Sequence, residues 1–231
     1  KLFHDVQREV YRNDPNFIAP LRMEIEQVFN PEKNTAFAHG HAQCFVLLEG
    51  KRPVGRIAAF FDEERSGHLK YKTGGIGFFE CVQDPAYAKM LFNSAEEYLR
   101  THEVEVIDGP INFGERDKFW GLLVHHFAPP LYQENYNPVY YADFFTQNGY
   151  QPFEQILTYA GKSSNIPVDR LSQIAKRVRS RHPLRVVPFS YQHIDTFARD
   201  FAEVYNAAFN VYEHFNPVSP NLVRTMMETA K

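Results

Sequence analysis

Between Gly75 and Ile107 the chain reads strand, helix, strand, and that order leaves few folds open. Gly75 to Val82 is a short, largely apolar stretch. Asp84 and Pro85 follow, a natural N-cap and a natural first helical residue. Ala88, Leu91, Phe92, Ala95, Tyr98 and Leu99 then share one helical face. Val104 to Ile107 is a second apolar stretch, closed by Asp108-Gly109-Pro110. Two strands joined through a helix pair in parallel, because a tight turn returns the chain in the opposite direction.

The residues before this unit supply a hairpin. Cys44 to Leu48 and Ile57 to Phe61 are continuous apolar runs, with Glu49-Gly50-Lys51-Arg52 as the turn between them. Continuous rather than alternating apolarity suits a sheet covered on both faces. Further upstream, Phe3, Val6, Val10 and Tyr11 mark one helix, stopped by Asn13-Asp14-Pro15. Leu21, Ile25, Val28 and Phe29 mark a second, ending before Pro31. Downstream, Ile111 to Pro138 has no regular pattern, and irregular segments of that length are often functional. A helix from Tyr140 to Gln147 ends at Asn148-Gly149, and Gln155 to Ala160 reads as a last strand.

Gly161 to Pro167 reads as a linker. Val168, Leu171, Ile174, Ala175 and Val178 mark a helix, Leu184 to Val187 a strand, and Ile194 to Phe209 a strongly amphipathic helix. A lone strand with a few helices cannot easily cover its faces. The expected organisation is therefore a first domain over 1–160, a linker and helix over 161–183, and the incomplete beginning of a second unit over 184–231. Glu9-Val10-Tyr11 and Glu203-Val204-Tyr205 hint that the second unit restarts the plan of the first.

Composition narrows the function classes. Aromatic residues make up 15% of the 231 residues, which excludes a disordered chain. The net charge of −3 gives no global basic field for nucleic acid. The longest apolar runs are far shorter than the roughly 18 residues that span a bilayer, so no membrane partner is expected. Two cysteines, Cys44 and Cys81, build no disulfide scaffold and suit a reducing, cytoplasmic setting.

Taken together, helix, helix, hairpin, third strand, long helix, strand, helix, strand resembles the GNAT superfamily of N-acyltransferases. Lys51-Arg52-Pro53-Val54-Gly55-Arg56-Ile57-Ala58 is similar to its hairpin entering a central strand. Tyr140 to Tyr150 is similar to its closing helix. Asn30-Pro31-Glu32-Lys33-Asn34, Gly77-Phe78-Phe79-Glu80, Gly109-Pro110-Ile111-Asn112-Phe113 and Tyr136-Asn137-Pro138-Val139-Tyr140-Tyr141 resemble a bacterial branch that tends to carry two such units in tandem, without assigned substrates. The resemblance covers about residues 1 to 160, with the superfamily's initial strand expected before residue 1. It implies an α/β fold with a mixed central sheet and helices on both faces, then the start of a second similar unit. It implies transfer of an acyl group from acetyl-CoA or another acyl-CoA to a small-molecule amine, with no metal.

Site residues follow from that resemblance. Glu80 is the expected base, on a strand bordering acyl group and amine, and Tyr141 the expected acid. Phe79, Cys81, Val82 and Asn112 are expected near the coenzyme. Two departures keep an alternative open. The stretch Cys81 to Ala88 has no glycine where the superfamily holds the coenzyme's pyrophosphate, and Asp84 and Pro85 there offer a carboxylate and one N–H fewer. The superfamily's usual tyrosine acid falls on Phe145. The alternative is a non-catalytic unit that binds a ligand or partner, or supports an active second domain; a homo-oligomer also stays open.

Plainer readings stand beside these. Glu80 could form a salt bridge to Arg56, and Tyr141 could be an aromatic core residue. Tyr132, Tyr136, Tyr140 and Tyr141 line a pocket or fill a core under an irregular loop. His39-Gly40-His41 and His125-His126 give too few ligands for zinc. Residues 168–187 carry six Lys or Arg against one Asp, a net +5. That run could meet phosphates, nucleic acid or an acidic partner. A solvated helix end is the favoured reading, because the helix dipole itself favours cations there.

Overall fold

The computed structural model describes residues 1–114, 118–211, 215 and 217–229. They fall into two compact units, Lys1–Ile156 and Leu157–Lys231.

The first unit opens with α1 (Leu2–Val10) and α2 (Arg22–Val28). A hairpin follows, β1 (Gly40–Glu49) and β2 (Arg52–Asp62), turning through Gly50 and Lys51. Gly50 takes φ +61° at the first central turn position, where a two-residue hairpin favours glycine. A short α3 (Glu63–Gly67) leads to β3 (Thr73–Cys81). Then come α4 (Pro85–Arg100), β4 (Val106–Asp108) and, after a long irregular stretch, α5 (Tyr141–Gln147).

Among the described residues the sheet has four strands in the order β1-β2-β3-β4. β1 and β3 flank β2 antiparallel, and β4 joins β3 in parallel across α4, as the strand–helix–strand pattern requires. The fold is α/β with a mixed sheet. α4 and α5 cover one face, with Leu91, Phe92, Ala95, Leu99, Phe144 and Phe145 on Ile57, Ala59, Phe61 and Ile76. On the other face, Ile25 and Val28 of α2 pack with Ala58, Phe60, Ile111 and Phe113. α1 lies over β2 and β3, with Val6 fully buried.

One irregularity matters for the site. Arg56 pairs with Glu80 and Ala58 with Gly77, so β3 carries one residue more than β2 between those pairs. Phe78 absorbs it at φ +53°, left-handed for a non-glycine residue. A bulge exchanges the faces of everything beyond it. Without this one, Glu80 would share the face of Ile76, beneath α4. With it, Glu80 stands beside Arg56 on the α1 face. Gly77 fits next to the bulge because a Cβ there would overlap the Ile111 carbonyl oxygen.

Two expected strands are absent. Gln155 to Ala160 is exposed and has no regular secondary structure or ladder, and the same holds for Leu184 to Val187. Both have strand-like sequences, but a strand exists only where a neighbour takes its backbone hydrogen bonds. The described part of the second unit holds α6 (Val168–Arg181), α7 (Ile194–Phe209) and α8 (Pro220–Thr229). Ala198 and Ala202 of α7 bury against Val223 of α8.

Candidate functional site

Glu80 sits near the end of β3 with its carboxylate almost wholly out of water, 5% exposed. Four side chains satisfy it. Gln7 Nε2 donates to Oε1 at 3.1 Å, and Arg56 Nη2 lies 3.3 Å from the same oxygen. The Tyr11 hydroxyl donates to Oε2 at 2.7 Å and the Tyr141 hydroxyl to Oε2 at 2.9 Å. The register of β2 against β3 brings Arg56, and α5 brings Tyr141. α1 brings Gln7 and, at its C-terminal cap, Tyr11, one helical turn apart.

The partners are themselves held. Arg56 Nη1 donates to the Phe3 carbonyl at 2.9 Å, and its guanidinium lies 4.6 Å from the Phe3 ring centroid. Its Nε–H has no partner among the described residues. Tyr11 stacks on Phe17 with ring centroids 3.7 Å apart. The Tyr141 hydroxyl also accepts the Cys81 N–H at 2.8 Å, and the Tyr140 hydroxyl donates to the Cys81 carbonyl at 2.9 Å.

Burial dominates the electrostatics. It pushes the Glu80 carboxyl above its ordinary range, against the pull of the Arg56 guanidinium and the three hydrogen bonds. It pushes both phenols, Tyr11 and Tyr141, well above theirs, and the adjacent Glu80 charge adds to this. Both tyrosines therefore stay protonated and act as donors.

The cluster forms one wall of a cavity of about 400 Å³. Glu80, Arg56, Gln7 and Tyr141 line it together with apolar groups that include Phe17, Ile18, Leu21, Ile25, Phe78, Phe119 and Leu122. That volume and mixture are typical of a small-molecule site: mostly apolar, with a few convergent polar groups.

Of the residues singled out in sequence, Glu80, Tyr141 and Phe79 meet at this cavity. The anticipated Arg56–Glu80 ion pair is present, and it belongs to the cavity wall. Cys81, Val82 and Asn112 lie outside the lining: Cys81 and Asn112 are buried, and the Val82 N–H bonds the Val54 carbonyl. Tyr132 and Tyr136 reach the lining, and Phe145 does so beside Tyr141. Tyr11 and Gln7 were missed as polar groups. Tyr11 was visible as an apolar-face residue, but its hydroxyl carries the interaction. The available signal was a glutamine four residues before a tyrosine on the buried side of a helix.

The first turn of α4 is closed to an anion. Asp84 Oδ1 accepts from Ala86 N at 2.8 Å and Tyr87 N at 3.4 Å, and Pro85 has no N–H. The residues present there do not fit a pyrophosphate. Elsewhere, His39 lies between Asp62 and Glu64, at 2.7 and 2.9 Å. Among the described residues no group of three or more His, Cys, Asp or Glu side chains is placed so that it could hold a metal ion.

Comparison with known proteins gives two similarities that span the whole chain. It is 28% identical over 234 residues to the bacterial ceramide synthase of Caulobacter vibrioides. It is 25% identical over 233 residues to protein YghO of Escherichia coli. The chain spans 60% of the length of the first and 59% of the second. No family model matches it, and no solved structure matches it.

Proposed function

We propose that the Lys1–Ile156 unit forms the amine side of an N-acyltransferase acting on a long-chain amine. The observation that carries this reading is Glu80: a hydrogen-bonded carboxylate, raised in pKa by burial, in the wall of a largely apolar cavity. A hydrocarbon chain gains roughly 0.8 kcal/mol per buried CH₂ in such a space. Three carboxylates line the cavity, Glu24, Glu80 and Glu134, and in this reading the nitrogen lies at Glu80, the buried one. Glu80 takes a proton from the ammonium, directly or through one water, and the freed lone pair attacks the acyl carbonyl of an acyl thioester; the C–N bond forms, the C–S bond breaks, and the thiolate leaves and takes up the proton released from the amine. Tyr11, Gln7 and Arg56 hold the carboxylate in place. Tyr141 does the same in this reading, because its proton already points at Glu80 and its oxygen accepts the Cys81 N–H. Similarity to a ceramide synthase supports the class, since a ceramide is an N-acylated long-chain amine. Both cysteines are free, as in a reducing compartment, and we place the protein on the cytoplasmic side.

The test is amide formation by the full chain from a long-chain amine and an acyl-CoA, followed by mass spectrometry. Glu80→Gln keeps the shape and removes the base, and should lower the rate about 10²- to 10⁴-fold. An unchanged rate overturns the assignment of Glu80.

One observation favours a second reading. The closed first turn of α4 gives acyl-CoA no pyrophosphate cradle there. The unit would then bind a lipid or a partner without catalysing transfer. Calorimetric titration separates the two: a long-chain amine that binds, with no coenzyme A binding and no amide product, supports this second reading.

A further inference from the structure

Helix α6 contrasts with the helices of the sheet domain, because none of its residues is buried. Its sequence is nonetheless two-sided. Val168, Leu171, Ile174 and Val178 lie along one stripe, and are 63%, 51%, 47% and 39% exposed. At 3.6 residues per turn, Arg179 and Arg181 fall about 80° to either side of that stripe. Arg170, Lys176 and Arg177 sit further round, and Asp169, Gln173 and Ser180 lie opposite. Just beyond the helix, Leu184, Val186 and Val187 are exposed as well, with Arg185 among them.

This pattern asks for a partner that is apolar in the middle and anionic at its edges. A solvated helix end leaves the stripe uncovered, and a 14-residue helix gains little stability in water by itself. Nucleic acid would use the charges and leave the stripe wet. A phospholipid surface uses both, with aliphatic side chains at the acyl boundary and flanking arginines reaching up to the phosphates. Residues 168–187 carry a net +5, which complements an anionic leaflet.

We propose that α6 is an interfacial helix that docks this protein on anionic phospholipid membranes. The expectation of no membrane partner rested on the lack of a spanning run. Among the described residues no helix is long and apolar enough to cross a membrane, but a helix lying in the interface needs neither property. The proposal uses neither Glu80 nor the cavity and goes beyond the acyl-transfer reading. A helix held at the membrane would deliver the protein to where a long-chain amine resides.

The test is co-sedimentation of the full chain with vesicles of phosphatidylcholine alone, or with phosphatidylglycerol as about a third of the lipid. Binding is expected to the anionic vesicles only, and should weaken as salt is raised. Arg179→Gln with Arg181→Gln should lower partitioning about 25-fold, roughly fivefold per cation. Leu171→Ser with Ile174→Ser should abolish binding although every charge remains. All four side chains are exposed, so circular dichroism and amide formation should not change. No binding to anionic vesicles at low salt overturns the proposal. So does equal binding to neutral vesicles, or full binding by the Leu171→Ser, Ile174→Ser variant. Displacement from the vesicles by short duplex DNA would assign the helix to nucleic acid instead.

Discussion

The strands of this sheet present two faces that differ in kind, although neighbouring residues build both. Toward α4 stand Ile57, Ala59, Phe61 and Cys81, closed by Leu91, Phe92, Ala95 and Leu99. Toward α1, one residue along in each strand, stand Arg56 and Glu80, met by Gln7 and Tyr11 beside a cavity. The first face is dry, and each group on it contributes to stability by burial. The second buries two charges whose desolvation offsets much of their attraction. Such a pair is weak evidence for stability, and its position in a cavity wall is the feature that the proposed function uses.

Substitutions can break this contrast. Phe92→Ala on the dry face should cost about 3–5 kcal/mol in urea unfolding. Arg56→Met should cost a similar 3–5 kcal/mol, but for another reason: it leaves the Glu80 carboxylate buried and uncompensated. The two causes separate in the double variant. Arg56→Met with Glu80→Leu should recover most of the lost stability while activity stays abolished, whereas no change of charge rescues Phe92→Ala. If Arg56→Met costs no more than an exposed pair, about 0–1 kcal/mol, the faces do not differ as argued.

Smaller effects sharpen the picture. Tyr141→Phe leaves the Cys81 N–H without its acceptor and removes one donor from Glu80, for about 1–3 kcal/mol. Amide formation should fall with it, and the acid limb of the pH–rate profile should move up, because Glu80 loses a hydrogen bond that favours its charged form. The last effect is pH itself. The Glu80 carboxyl is raised above its ordinary 4.5 when folded, so the folded state binds its proton more readily than the unfolded chain. The stability it contributes is full below about 4.5 and is lost as pH rises through the raised value. Activity runs the other way and falls as pH drops through that same value. Glu80→Gln should remove this contribution from the pH profile of unfolding.

Much of the sheet is legible in the sequence. The hairpin turn at Gly50, the Asp84-Pro85 start of α4 and the parallel pairing of β3 with β4 all follow from local chemistry. Gln155–Ala160 and Leu184–Val187 failed for the opposite reason: β-propensity is local, but the partner strand that fulfils it is not. The site divides in the same way. Glu80 and Tyr141 were singled out through a family resemblance, and the fold brings both to the cavity wall. Gln7 and Tyr11 were not, because nothing near residues 7 and 11 in sequence announces a carboxylate at residue 80.

The amino-acid sequence by itself determined the helices, the turn at Gly50, the start of α4 and which side chains are apolar, since these depend on neighbours a few residues away; which apolar stretches become strands it did not. Only the tertiary structure decided which face Glu80 occupies. Alternation counted from Ile76 places it under α4 among hydrocarbon. One extra residue in β3, taken up at Phe78, turns it to Arg56, Gln7 and Tyr11. A bulge is a property of two paired strands, and its effect on a side chain exists only once the register between them is set.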